Sequence, residues 1–139
     1  MEPYQSSIDA GAQRVVTVWS GPVTDRALYA YQDQVWCDPT RAHFDELLDF
    51  RQAASVSVSS EGLRTVAGMA VRKDRPEAHS RLALVIDGDL QFGLSRMYES
   101  LRSVQEHSAR AVRIFHDADT ARSWLDTPRE WRGEGGPDS

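Results

Sequence analysis

The feature that most restricts the fold is a short, nearly uninterrupted apolar run, Leu82-Ala83-Leu84-Val85-Ile86, preceded by Arg81 and closed by Asp87-Gly88-Asp89. The run does not alternate between apolar and polar residues, so it does not suit a strand with one wet face. It suits a central strand covered on both sides, the usual setting of a strand in a parallel sheet. Burying each Val, Leu or Ile of such a strand stabilises by about 1.5–3 kcal/mol. A charge at Leu84 or Val85 is therefore expected to unfold the chain.

The flanking segments alternate in period. Residues 4–8 and 14–20 read as strands around a turn at 9–13, the second rich in β-branched residues and stopped by Gly21-Pro22. Thr24-Asp25 caps a helix with Ala27, Leu28, Tyr31 and Val35 on one face, and Asp38-Pro39 ends it. Residues 44–50 hold Leu47-Leu48 and close on Asp49 as a short buried strand, while residues 53–58 are extended or loop. Ser59 or Ser60 caps a second helix bearing Leu63, Val66, Ala67 and Ala70. Gly62 and Gly68 weaken it by about 1 kcal/mol each. Residues 73–80, polar and containing Pro76, read as a surface loop. The third helix carries Leu94, Met97, Tyr98, Leu101 and Val104, the best helical spacing in the chain. Residues 111–115 form the last strand; Asp117 caps a fourth helix that turns Ala118, Ala121, Trp124 and Leu125 inward, and Pro128 stops it.

This order, β-β-α-β-α-β-α-β-α, predicts an α/β fold. Its centre is a single mixed, mostly parallel sheet of about five strands with four helices, the first hairpin strand adding an antiparallel edge. A chain of 139 residues suits one core. Residues 1–127 are expected to form a single domain and 128–139 a polar, flexible C-terminal tail.

Composition narrows the partners. The formal net charge is -5, no Lys/Arg cluster offsets it, and nucleic acid is not an expected partner. Cys37 is the only cysteine, which excludes an intrachain disulfide and fits a reducing compartment. The first residues lack a basic start followed by an apolar run, and no stretch approaches the ~20 apolar residues of a transmembrane segment. A cytoplasmic location is expected.

No catalytic constellation is visible, and no cofactor or metal is expected. The sequence holds no phosphate-cradling loop, dinucleotide fingerprint or nucleophile elbow. His43, His79, His107 and His116 share no metal-ligand spacing. In open α/β sheets ligands gather beyond the carboxyl ends of the strands. That rim holds Ser20, Asp49, Arg51, Asp87, Asp89 and Asp117, with Phe92 and Arg96 on the following helix, and these form a candidate ligand or partner surface. Several carboxylates there could hold Mg²⁺, but helix capping accounts for Asp89 and Asp117, and a turn or a salt bridge for Asp49, as well. Phe92, Tyr98, Trp19 and Trp36 could line an apolar pocket, although Tyr98 and Trp124 sit at core spacing. Ser59 and Ser60 stand where a helix's free N–H groups favour anions. They are candidate phospho-acceptors, and a phosphate there would add about -1.5 to -2 charges. An ordinary serine cap explains the same residues.

The stretches Trp19-Ser20-Gly21-Pro22-Val23-Thr24, Leu47-Leu48-Asp49-Phe50-Arg51, Phe92-Gly93-Leu94-Ser95-Arg96-Met97 and Ala121-Arg122-Ser123-Trp124-Leu125 resemble small bacterial SpoIIAA-like proteins. These belong to the STAS superfamily and are likened to SEC14 lipid-binding domains. The resemblance spans residues 4–125 and implies a non-enzymatic regulatory or protein-interaction module. In anti-sigma-factor antagonists of that superfamily a kinase phosphorylates a serine in an Asp-Ser-Ser-Gly-Leu motif. The comparable segment here is Val58-Ser59-Ser60-Glu61-Gly62-Leu63, with Val58 in place of the aspartate and Glu61 inserted before the glycine. The resemblance thus implies a regulatory protein or kinase as partner. The SEC14 likeness implies instead a small apolar ligand or lipid. A homodimer covering Trp131 and an edge strand is also expected.

Overall fold

Strand β1 (Tyr4–Asp9) pairs antiparallel with β2 (Arg14–Trp19), Tyr4 opposite Trp19 and Asp9 opposite Arg14. The structure, a computed structural model, describes residues 2–104 and 110–128. His107, Trp131 and all of the expected tail except Pro128 lie outside the described residues.

From β2 the chain runs through β4 (Asp45–Asp49), β6 (Arg81–Val85) and β7 (Ala111–Phe115), each parallel to the one before. The sheet order is β1-β2-β4-β6-β7, so consecutive strands are neighbours and β1 is the antiparallel edge. Every residue of β4 and of β6 is buried, as an apolar run covered on both faces requires.

Helices α1 (Asp25–Val35), α2 (Ser60–Val71) and α3 (Asp89–Ser103) make the parallel crossovers and share one face of the sheet. Helix α4 (Ala118–Leu125) lies on the other, where Ala121 and Leu125 pack on Leu47, Ala83, Val85 and Phe115. Three of the four caps are side chains the sequence offers for the purpose. Thr24 Oγ1 accepts from Ala27 N, Ser59 Oγ from Gly62 N and Asp117 Oδ1 from Thr120 N. The fourth helix start, at α3, is Gly88, whose φ of 92° is open to glycine and strained for other residues.

Three details depart from the sequence reading. Residues 53–58 contribute a strand, β5 (Ser55–Ser57), which pairs parallel with β3 (Pro22–Thr24) in a second, two-stranded sheet. These strands are too short to leave a periodic signal. The stretch at 73–80 is only partly a surface loop. It contains a 3₁₀ turn (Pro76–Ala78), the Asp74 side chain is buried against Arg102, and Ser80 is buried. On α3 the buried residues are Ser95, Tyr98 and Arg102, whereas Met97 and Val104 are exposed. The apolar stripe of that helix lies along its flank, half outside the core.

Candidate functional site

The core beneath α2 and α3 is incompletely filled. A pocket of about 80 Å³ opens there, floored by Leu48, Leu82 and Leu84 of the sheet and walled by Leu63 and Val66 of α2 and Leu94, Ser95 and Tyr98 of α3. Its lining residues near the carboxyl ends of the strands, Phe50, Val56, Val58, Gln91 and Leu94, are partly exposed and form the mouth. Toward the amino ends it narrows between Tyr31, Gln32, Glu46 and Tyr98, all buried. The mouth thus lies where open α/β sheets usually place ligands.

The inner end is a closed polar network. Glu46 Oε2 accepts from Tyr31 Oη at 2.6 Å and from Trp36 Nε1 at 3.2 Å, and its Oε1 accepts from Arg110 Nη1 at 2.9 Å. Arg110 also donates to Ser80 Oγ and to the carbonyls of Ala42 and Phe44, with its guanidinium 4.5 Å from the Trp36 ring centre. Burial pushes the Tyr31 hydroxyl well above its usual range, and the adjacent Glu46 charge adds to the effect. Tyr98 is raised by burial too, and its Oη accepts from Arg102 at 3.1 Å.

Two features shape the mouth. Gln91 ties the start of α3 to the end of β4, donating through Nε2 to Phe50 O at 2.9 Å and accepting from Asp87 N at 3.0 Å. Across from it, Val58 leads into Ser59, whose N–H and hydroxyl both donate to Asp25, at 2.9 and 2.6 Å. The Asp25 carboxylate therefore occupies the positive end of α2. It sits so close to Gly62 that a Cβ there would lie 2.2 Å from Asp25 Cγ. Of the two serines the sequence offers as a cap, Ser59 is the one used, and Ser60 is exposed in the first turn.

The rim residues gather only in part. Arg51 donates to both oxygens of Asp49, at 3.0 and 2.8 Å. Burial works to raise the Asp49 carboxyl, but the hydrogen bonds and charge of Arg51 outweigh it and hold the group below its usual range. Asp87 and Asp117 lie within electrostatic reach of the same guanidinium. Phe92 is 39 % exposed, stacks on His116 and has Arg96 beside its ring. Ser20 stands apart at the end of β2, its N–H held by Pro3 O. Among the described residues no group of three or more His, Cys, Asp or Glu is placed to share a metal ion. Of the four aromatics considered for a pocket, Tyr98 alone lines this one. Trp19 is fully buried among Tyr4, Tyr31 and Phe50, and Trp36 packs on Arg110. Sequence reasoning missed Gln32, Glu46 and Ser95. Their only signal was a polar residue at a position where the helical or strand pattern demands an apolar one.

A mostly parallel five-stranded sheet in sequential order, three helices on one face and one on the other, defines a SpoIIAA-like α/β fold. No family model matches the sequence, and neither does any curated protein. Among solved structures the chain is similar to an uncharacterized protein of the DUF3478 family with a SpoIIAA-like fold from Shewanella loihica PV-4. The two align with a TM-score of 0.60 at 13% identity, over 90% of this chain and 95% of the other. At that identity the likeness establishes the fold and leaves function to the site. Among the described residues no helix is long and apolar enough to cross a membrane.

Proposed function

We propose that this protein is a non-catalytic binding module whose pocket beneath α2 and α3 takes a small apolar ligand. The observation that carries the reading is the pocket itself: 80 Å³, lined chiefly by Leu and Val, open at the carboxyl ends of the strands. A site of this kind gains affinity from apolar burial, with a few polar groups to fix orientation. The reading predicts that a compact apolar probe such as benzene binds in the pocket with a Kd below ~1 mM, read from chemical-shift changes at the lining Leu and Val methyl groups. Filling the space with Val66→Phe should abolish that binding while leaving the thermal midpoint unchanged or higher. Freshly purified protein that retains no apolar molecule in native mass spectrometry, and does not bind benzene, would sink it.

A second reading, that of a regulatory module acting on a kinase or other regulatory protein, is favoured by the Ser59–Asp25 contact at the pocket's rim. A phosphate on Ser59 would meet the Asp25 carboxylate and displace it, freeing the segment that carries Val56 and Val58. Ser59→Asp mimics this, so amide exchange over residues 55–63 should quicken. Ser60→Asp, on an exposed side chain, should not change it. Identical exchange in both variants and the unmodified protein would remove the case for a switch at Ser59.

A further inference from the structure

Two polar side chains in the pocket wall keep donor groups that no protein atom accepts from among the described residues. Ser95 is 7 % exposed and Gln32 is 6 % exposed, and both line the pocket. Among the described residues the Ser95 hydroxyl makes no hydrogen bond. Gln32 uses its side-chain oxygen to accept from Lys73 Nζ at 3.4 Å, which leaves its amide N–H pair unengaged. Neither atom is sealed from solvent: both belong to the wall of the open pocket, where a ligand oxygen can replace water as their acceptor. The neighbouring polar groups offer no such donors, because Tyr31, Glu46, Trp36 and Arg110 satisfy one another. The donors the wall keeps for a ligand are therefore one on α3 and one on α1.

We infer that the ligand is an uncharged, mainly apolar molecule carrying a hydrogen-bond-accepting oxygen, such as a ketone, ester or amide, at the end inserted first. The inference rests on the binding reading above and narrows it. An unpaired N–H pair and a free hydroxyl both donate to such an oxygen, whereas a pure hydrocarbon leaves them unsatisfied. An ionised carboxylate is excluded for two reasons. It would have to shed its water in an apolar pocket, and it would approach Glu46, which lines the same inner end. A cation is disfavoured as well, because the Glu46 charge is already neutralised by the buried Arg110 guanidinium at 2.9 Å.

The test is a matched series read on the same methyl resonances: butan-2-one, the alkane of equal length and the carboxylate of equal length. The ketone should bind about tenfold more tightly than the alkane, the effect of one well-made buried hydrogen bond. The carboxylate should bind at least ~100-fold more weakly than the ketone. Ser95→Ala should erase most of the ketone's advantage while leaving alkane binding equal or tighter. Gln32→Met should act in the same direction. Alkane and ketone of equal affinity, a carboxylate that binds best, or a ketone preference untouched in both variants would overturn the inference while leaving the pocket's role standing. A pocket that takes none of the three and no benzene would overturn the binding reading with it.

Discussion

Gly62 is the residue on which the rim of the pocket turns. It sits three residues into α2, where its lack of a side chain weakens the helix by about 1 kcal/mol relative to alanine. Propensity alone therefore predicts that Gly62→Ala stabilises. Geometry predicts the opposite, because the new methyl would lie 2.2 Å from Asp25 Cγ and would push the carboxylate off the Ser59 N–H and hydroxyl. Overpacking of this kind costs about 1–3 kcal/mol, enough to outweigh the propensity gain. Gly62→Ala should lower the urea midpoint in the unmodified protein and raise it, or leave it unchanged, in an Asp25→Ala background. That reversal of sign is a double-mutant-cycle signature of direct contact. Equal effects in both backgrounds would show that the two residues do not press on one another.

At the scale of elements, α3 marks where sequence reading succeeded and where it stopped. The helix itself was legible, because Leu94, Met97, Tyr98, Leu101 and Val104 fall at helical spacing. Of these only Tyr98 proves buried. The buried positions are Ser95, Tyr98 and Arg102, while Leu90 is 59 % exposed and Val104 is 76 % exposed. Periodicity registers only apolar positions; Arg102 lies one helical turn after Tyr98, but the carboxylate that fixes it in its buried place is Asp74, 28 positions earlier, which no spacing rule connects to it. The same limit hid the inner end of the pocket. Glu46 within β4 looks like a surface residue until Arg110, 64 positions later, is folded against it. The local signals were read correctly: the hairpin, the cap residues Thr24, Ser59 and Asp117, and the doubly covered strand β6. The rim carboxylates could have been read as a shared cation site or as residues with separate local roles; Asp49 takes the local role, paired with Arg51 in the turn that follows β4.

For the whole molecule, the cost of building a pocket over a polar floor should appear as a dependence on alkaline pH. Tyr31 and Tyr98 are fully enclosed, and both are held above the model-peptide value of 10.0, in each case by burial first. Above that value an unfolded chain releases these two phenolic protons and the native chain does not. The native state then binds more protons than the unfolded one, so stability must fall as pH rises. The contribution is fully present below about pH 10 and is lost progressively above it. Lys73 works in the opposite sense, because burial lowers its affinity for a proton in the native state. It is one partly exposed group against two enclosed ones, so the tyrosines set the direction. The urea midpoint should therefore decline between ~pH 9 and ~pH 11, and Tyr98→Phe should make that decline shallower without abolishing it. Tyrosinate absorbance from the enclosed pair should rise together with the loss of the fold. If absorbance from all four tyrosines rises ahead of unfolding, with an ordinary midpoint near 10.0, then solvent reaches Tyr31 and Tyr98 in the native state. The polar floor would then be open to water, and the apolar pocket above it would lose the closed inner end on which its selectivity depends.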